Sequence, residues 1–165
     1  MQSIIIGNLI SLIAVFFAIL NGTRKTKKEM IVCDIGSASF YTIADLILKG
    51  YSGVVQNAVG ILRNLAALYL PDKKYISWFL VVAAVVLGIY FNNRGLIGLL
   101  PVASSCWYSI CIIDKNASHQ KMKVSLILNS TAFLIYSAIL LNLVGVVSNL
   151  LVITSTTFAI IKNKK

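Results

Sequence analysis

Charge is what this chain has least of. Only 12% of its 165 residues are charged, against 58% hydrophobic, where a soluble domain carries about a quarter charged. Too little polar sequence remains to coat a globule, which excludes an ordinary water-soluble domain. Histidine is nearly absent, and the one copy, His119, falls in a connecting stretch. No Ser/His/Asp or Cys/His set can be assembled within the apolar segments, and no His/Cys/carboxylate cluster has metal-ligand spacing. Cys33, Cys106 and Cys111 all lie inside apolar runs, an odd number without ligand spacing, and read as small buried residues. A glycine-rich phosphate loop is also missing. The expectation is no enzyme, no metal and no cofactor. Finally, no basic residue precedes the first apolar run, "MQSIIIGNLISLIAVFFAIL"; the basic cluster follows it, at Arg24, Lys25, Lys27 and Lys28. That is the reverse of a cleavable signal peptide, so a retained first helix with its N-terminus outside is expected.

What is present is a series of apolar runs. The mean hydropathy is +0.87, and seven segments of near-spanning length cover residues 3–21, 30–48, 51–70, 75–91, 95–113, 124–141 and 144–161. The softest boundary is the last, in "LLNLVGVV", where only Asn142 marks a break. Short connections make the helices neighbours in one bundle, a single integral domain over 1–165. The net charge of +10 does not indicate nucleic acid, because the basic residues sit in turns and form no helix face or arm. With seven spans, one side receives Arg24, Lys25, Lys27, Lys28, Lys73, Lys74, Lys115, Lys121, Lys123, Lys162, Lys164 and Lys165. The other receives Lys49 and Arg94, with Arg63 left inside a span. Twelve against two assigns the richer side to the cytoplasm, hence N-outside and C-inside. Tyr51, Tyr69, Tyr75, Trp78 and Tyr90 fall near the expected interfaces.

An offset of 92 residues lays the last three helices over the first three. Met30 then falls on Met122, Tyr41 on Phe133, Gly53 on Gly145 and Asn57 on Asn149, and "SGVVQN" aligns with "VGVVSN". The predicted fold is all-α: two parallel three-helix repeats, 1–70 and 95–161, joined by a linker helix, 75–91. Sites in such folds lie at the midplane between the repeats. The linker has no strong polar residue, and its Ala84 and Gly88 form a small-xxx-small step suited to close packing.

This arrangement resembles the SWEET sugar transporters and their PQ-loop relatives. Their site pattern has an asparagine on the third helix of each triplet, in the first triplet as Asn-x-x-Gly. Here Asn57-Ala58-Val59-Gly60 and Asn149 match it. The resemblance also implies an aromatic residue on the second helix of each triplet, for which Tyr41 and Phe133 are the counterparts. "GNLISLIAVFF", "DIGSASFYTIADL" and "QNAVGILRN" are similar to the YgjV-type family of small bacterial inner-membrane proteins, along nearly the whole chain. That likeness implies a bacterial inner membrane and no particular substrate. The PnuC-type nicotinamide riboside transporters share the seven-helix plan. SWEET triplets carry a hinge proline late in the first helix; here the first helix has none and Pro101 stands early in the fifth, so that hinge does not carry over.

Polar residues inside the spans name the candidate site. A central arginine costs roughly 3 kcal/mol on insertion scales, so Arg63 needs a partner or a wet cavity. Asp34 on the second helix is in reach as ion pair, clamp or gate, while snorkelling to the interface is the alternative. Gln56, Asn57, Gly60, Arg63 and Asn64 share one broad helix face through three- and four-residue spacing, which points them inward. Asn57 and Asn149 could grip a solute's hydroxyls or carbonyl, or bond neighbouring helices. Asp45 and Lys49, four apart, read as an exposed helix pair, with a proton-coupling carboxylate as the alternative. Asn129, Ser130 and Thr131, and Ser104, Ser105, Trp107 and Tyr108, enrich the sixth and fifth helices; Trp107 reads as core, with a stacking platform as the alternative. The expectation is a small-solute transporter whose substrate is small, polar and either uncharged or anionic. Asn57, Asn149, Tyr41 and Phe133 would bind it, with Asp34 and Arg63 as pair or gate. The rival is a non-transporting membrane scaffold or accessory subunit. The lipid bilayer is the expected partner, and a homo-oligomer is compatible with the pattern.

Overall fold

The computed structural model describes residues 2–114 and 116–162; Lys115, Lys164 and Lys165 of the charge count lie outside the described residues. Among these, all regular structure is helical: α1 Gln2–Thr23, α2 Lys27–Ile47, α3 Tyr51–Tyr69, α4 Lys74–Tyr90, α5 Leu99–Ile113, α6 His119–Ile139 and α7 Leu143–Lys162, with a short 3-10 turn at Gly95–Gly98 leading into α5. Five of the helical stretches are long and apolar enough to cross a membrane. The other two are α4, only 17 residues long, and α3, whose length suffices but whose face carries the polar residues.

The packing closes a ring. α1 packs on α2 and on α7, α2 on α3, α3 on α5, α5 on α6, and α6 on α7, while α4 lies outside against α3 and α5. Large apolar side chains such as Leu9, Leu12, Phe16, Phe79, Val82 and Phe158 remain exposed, as a lipid-facing surface requires. Trp107 joins that surface, half-exposed. The core reading of it fails because Tyr108, the next residue round α5, takes the inward position.

Helix ends show which local chemistry repeats. Thr26 caps α2 by accepting the Glu29 N–H at 3.3 Å, in a Thr-x-x-Glu capping sequence. Ninety-two positions on, Ser118 caps α6 by accepting the Lys121 N–H at 3.2 Å. α2 ends at Ile47 and α6 at Ile139; α3 starts at Tyr51 and α7 at Leu143. Both turns pass through a non-glycine residue at φ 58°, Lys49 and Leu141. The soft boundary at Asn142 is therefore a real chain reversal: Asn142 Oδ1 accepts the Gly145 N–H at 2.8 Å, and Asn142 Nδ2 donates to Ser11 Oγ at 3.0 Å. At the matching place α3 has Gly50, which cannot cap, and the Gly53 N–H donates instead to the Tyr136 hydroxyl at 3.2 Å.

A left-handed lysine costs roughly 1 kcal/mol relative to glycine. Lys49→Gly is accordingly expected to raise the melting temperature by a few degrees in detergent, read by circular dichroism; a fall would mean that the turn holds Lys49 by contacts that outweigh its strain.

Candidate functional site

A polar cavity of about 70 Å³ lies inside the ring, lined by α1, α2, α3, α5, α6 and α7 and by nothing from α4. Its walls follow the helical period. On α2 the lining residues are Asp34, Ser37, Ala38, Tyr41 and Asp45; on α6 they are Leu126, Asn129, Ser130, Phe133 and Ser137. Each α6 position is the α2 position plus 92. On α3 and α7 the same shift relates Asn57 to Asn149 and Gly60 to Val152. All six residues expected at the site, Asn57, Asn149, Tyr41, Phe133, Asp34 and Arg63, line this one space. In the ring α2 and α6 stand opposite each other, so Tyr41 and Phe133 occupy facing walls. The Tyr41 hydroxyl is tied to Ser148 on α7.

The cavity end near the α1–α2 connection is built around Arg63. It lies 5% exposed, its Nη2 4.0 Å from Asp34 Oδ2. Asn64 joins the two, donating to Asp34 Oδ2 at 2.7 Å and accepting from Arg63 Nη2 at 3.0 Å. Arg63 Nη1 donates to the Ser109 hydroxyl, and the guanidinium sits 5.7 Å from the centre of the Tyr108 ring. Asn21 on α1 donates to Asp34 Oδ1 at 3.3 Å. Arg63 is therefore a fully engaged inward group and does not snorkel. Beyond it an apolar cluster containing Met30, Ile31, Ile112 and Met122 packs against the same end.

The other end, near the α2–α3 turn, holds Asp45, where the structure corrects the expected exposed pair with Lys49. Asp45 is 4% exposed, lines the cavity, and accepts from Asn57 Nδ2 at 3.2 Å. α2 stops at Ile47, and the left-handed turn at Lys49 carries that side chain out to solvent. No cation among the described residues pairs with Asp45. The signal was present in the sequence: Asp34, Tyr41 and Asp45 stand seven and four apart, which places all three on one face of a helix.

Gln56 is inward as expected but turns its amide to the linker helix, donating from Nε2 to the Ala84 carbonyl at 2.7 Å. A Cβ on Gly88 would run into that same amide, so the Ala84/Gly88 step exists to receive Gln56. Ser105, Asn129 and Ser130 reach the cavity. Ser104 and Thr131 spend their hydroxyls on carbonyls of their own helices.

Residues 5–165 match the model of the Imp-YgjV family, described as bacterial inner membrane protein. The chain belongs to this family. Neither a curated protein nor a solved structure matches it. This YgjV-family protein is thus a multi-pass helical protein of the bacterial inner membrane, with the cavity lying among the six helices of its ring.

Proposed function

We propose that this YgjV-family protein carries a small polar solute across the inner membrane, N-terminus outside and C-terminus cytoplasmic. It would work as two parallel three-helix repeats with α4 as linker, in the manner of the SWEET/PQ-loop architecture. The observation that supports this most is the recurrence of the five cavity-lining positions of α2 on α6, 92 residues later. The packing pattern agrees with it: α1–α2–α3 and α5–α6–α7 contact internally in the same order, and the α3–α5 seam corresponds to the α7–α1 seam. A solute held between such units is exchanged by rocking one against the other. Asn57, Asn149, Tyr41 and Phe133 would contact it, and the Asp34–Arg63–Asn64 cluster would serve as the closed gate at one end. An anion, one of the two substrate classes left open by the sequence, fits poorly beside Asp45, since Arg63 is already engaged.

The scaffold reading draws on a different observation, the nearly self-contained Arg63 cluster. The two diverge in a thermal-shift panel of small polar metabolites on purified protein beside Asn57→Ala and Asn149→Ala. A carrier is expected to be stabilised by at least one compound, by several degrees, with the shift lost in both variants. No shift across the panel would favour the scaffold, and equal shifts in all three proteins would move the site elsewhere.

A further inference from the structure

Four of the five amides that line the cavity turn their nitrogen to a protein oxygen. Asn21 Nδ2 donates to Asp34, Gln56 Nε2 to the Ala84 carbonyl, Asn57 Nδ2 to Asp45, and Asn149 Nδ2 to the Gly145 carbonyl at 2.8 Å. Every partner is a carboxylate or carbonyl oxygen, which accepts only, so chemistry assigns the nitrogen ends and with them the oxygen ends. The oxygens are left over. Asn21 Oδ1 and Gln56 Oε1 are buried with no donor, on residues 1% and 2% exposed. Among the described residues no protein donor reaches Asn57 Oδ1 or Asn149 Oδ1 either. A buried acceptor without a donor costs about 1–3 kcal/mol, and three line this cavity, the oxygens of Asn21, Gln56 and Asn129; with the half-buried Asn57 and Asn149 oxygens beside them, they point to a guest that donates.

Charge points the same way. Asp34 is matched by Arg63, while Asp45 has one amide and no cation. The walls therefore carry a surplus carboxylate beside a surplus of carbonyl oxygens. Size narrows the guest further: about 70 Å³ holds about five waters, or a few heavy atoms. Tyr41 and Phe133 supply aromatic walls that attract a cation, and a cation bearing N–H groups also brings the donors that the orphan oxygens lack.

We propose that the cavity binds a small hydrogen-bond-donating cation, ammonium or a primary ammonium group, at Asp45 with the oxygens of Asn57, Asn149 and Gln56 as acceptors. The ligand class rests on the carrier reading only in using the same cavity. Binding is measured without transport, so a protein that binds such a cation and moves nothing overturns the carrier and leaves the site standing.

The test is a titration of purified full-length protein in detergent with ammonium chloride and methylammonium chloride, read by thermal shift and by calorimetry. Sodium, potassium and choline chlorides at equal ionic strength are the comparisons. The expected result is a saturable rise of several degrees with ammonium or methylammonium, absent with choline and at least tenfold weaker with the alkali ions. Asp45→Asn, close in shape, is expected to abolish it. Should Asp45→Asn not fold, Asn149→Leu removes one acceptor at similar volume and is expected to raise the half-saturating concentration at least fivefold. Equal response to sodium or potassium overturns the proposal in favour of a plain alkali-ion site. No response up to tens of millimolar, or a response that survives both substitutions, overturns it outright.

Discussion

Arg63→Leu is expected to remove most of the folded protein. Breaking a buried ion pair from one side costs about 3–5 kcal/mol, because the remaining charge loses its partner without regaining water. Here the loss extends further. Asn64 Oδ1 loses both guanidinium donors, the Ser109 hydroxyl loses its donor, and Asp34 keeps only the amides of Asn64 and Asn21. Asp34→Asn should be milder, since Arg63 retains Asn64, Ser109 and the face of Tyr108. The double variant Asp34→Leu/Arg63→Leu should lose less than the two single leucine changes added together, because apolar replacement of both partners strands no charge. Reversing the charges, with Asp34→Arg and Arg63→Asp together, should not rescue. The partners on α5 are arranged for a donor at position 63, and a carboxylate there would face the Ser105 carbonyl that now accepts from Arg63 at 3.5 Å. Denaturation in detergent of all five variants, followed by circular dichroism and size exclusion, tests the order. Full rescue by reversal would mean that attraction alone, without the α5 partners, sets the position of Arg63.

Gly53→Leu is expected to be nearly as damaging, and Gly60→Ala to be tolerated. The two glycines stand seven apart on the same face of α3 and look alike in sequence. In the fold they differ. A Cβ at Gly53 would meet the Asp45 carboxylate and lie 2.8 Å from Tyr136 Cε1, where neither neighbour is free. Asp45 is held by Asn57, and the Tyr136 hydroxyl by Ser52 and the Gly53 N–H. Overpacking of this kind costs about 1–3 kcal/mol, and more with a whole isobutyl group displacing the cavity wall. At Gly60 a Cβ meets only Arg63 Nη2, at 3.7 Å, which is ordinary contact, and alanine recovers helix propensity worth about 1 kcal/mol. Thermal melts should therefore fall sharply for Gly53→Leu and hold or rise for Gly60→Ala. Equal loss at both would mean that the Gly60 face is packed more tightly than its single 3.7 Å contact implies.

These contrasts mark how far the residues speak for themselves. The membrane class followed from charge deficit and run length, since lipid admits only segments whose backbone groups are satisfied within the helix. The inward face of α3 followed from three- and four-residue spacing. The 92-residue shift that matched Asn57 to Asn149 and Tyr41 to Phe133 also describes the capped starts of α2 and α6, their ends, and the left-handed residues of the two turns. These properties are local, set by a few neighbouring residues, so one offset describes both places.

Asp45 and Trp107 were misread for the complementary reason. Pairing Asp45 with Lys49 assumed that α2 runs on to residue 49, whereas it stops at Ile47. Trp107 next to Tyr108 offered two aromatic residues for one inward position, and only the packing of α5 on α3 and α6 chooses between them.

By itself, then, the sequence determined a membrane helix bundle and the set of polar side chains that must avoid lipid, and its likeness to the YgjV family assigned that bundle to the bacterial inner membrane. Only the tertiary structure decided how those side chains are spent. It engages Arg63 with Asp34, Asn64 and Ser109, turns four amide nitrogens to the protein, and leaves their oxygens and Asp45 around one small cavity. The physical reason is that helix periodicity says which way a side chain points, while the partner of a buried polar atom sits on another helix, and no spacing along one chain segment can supply it.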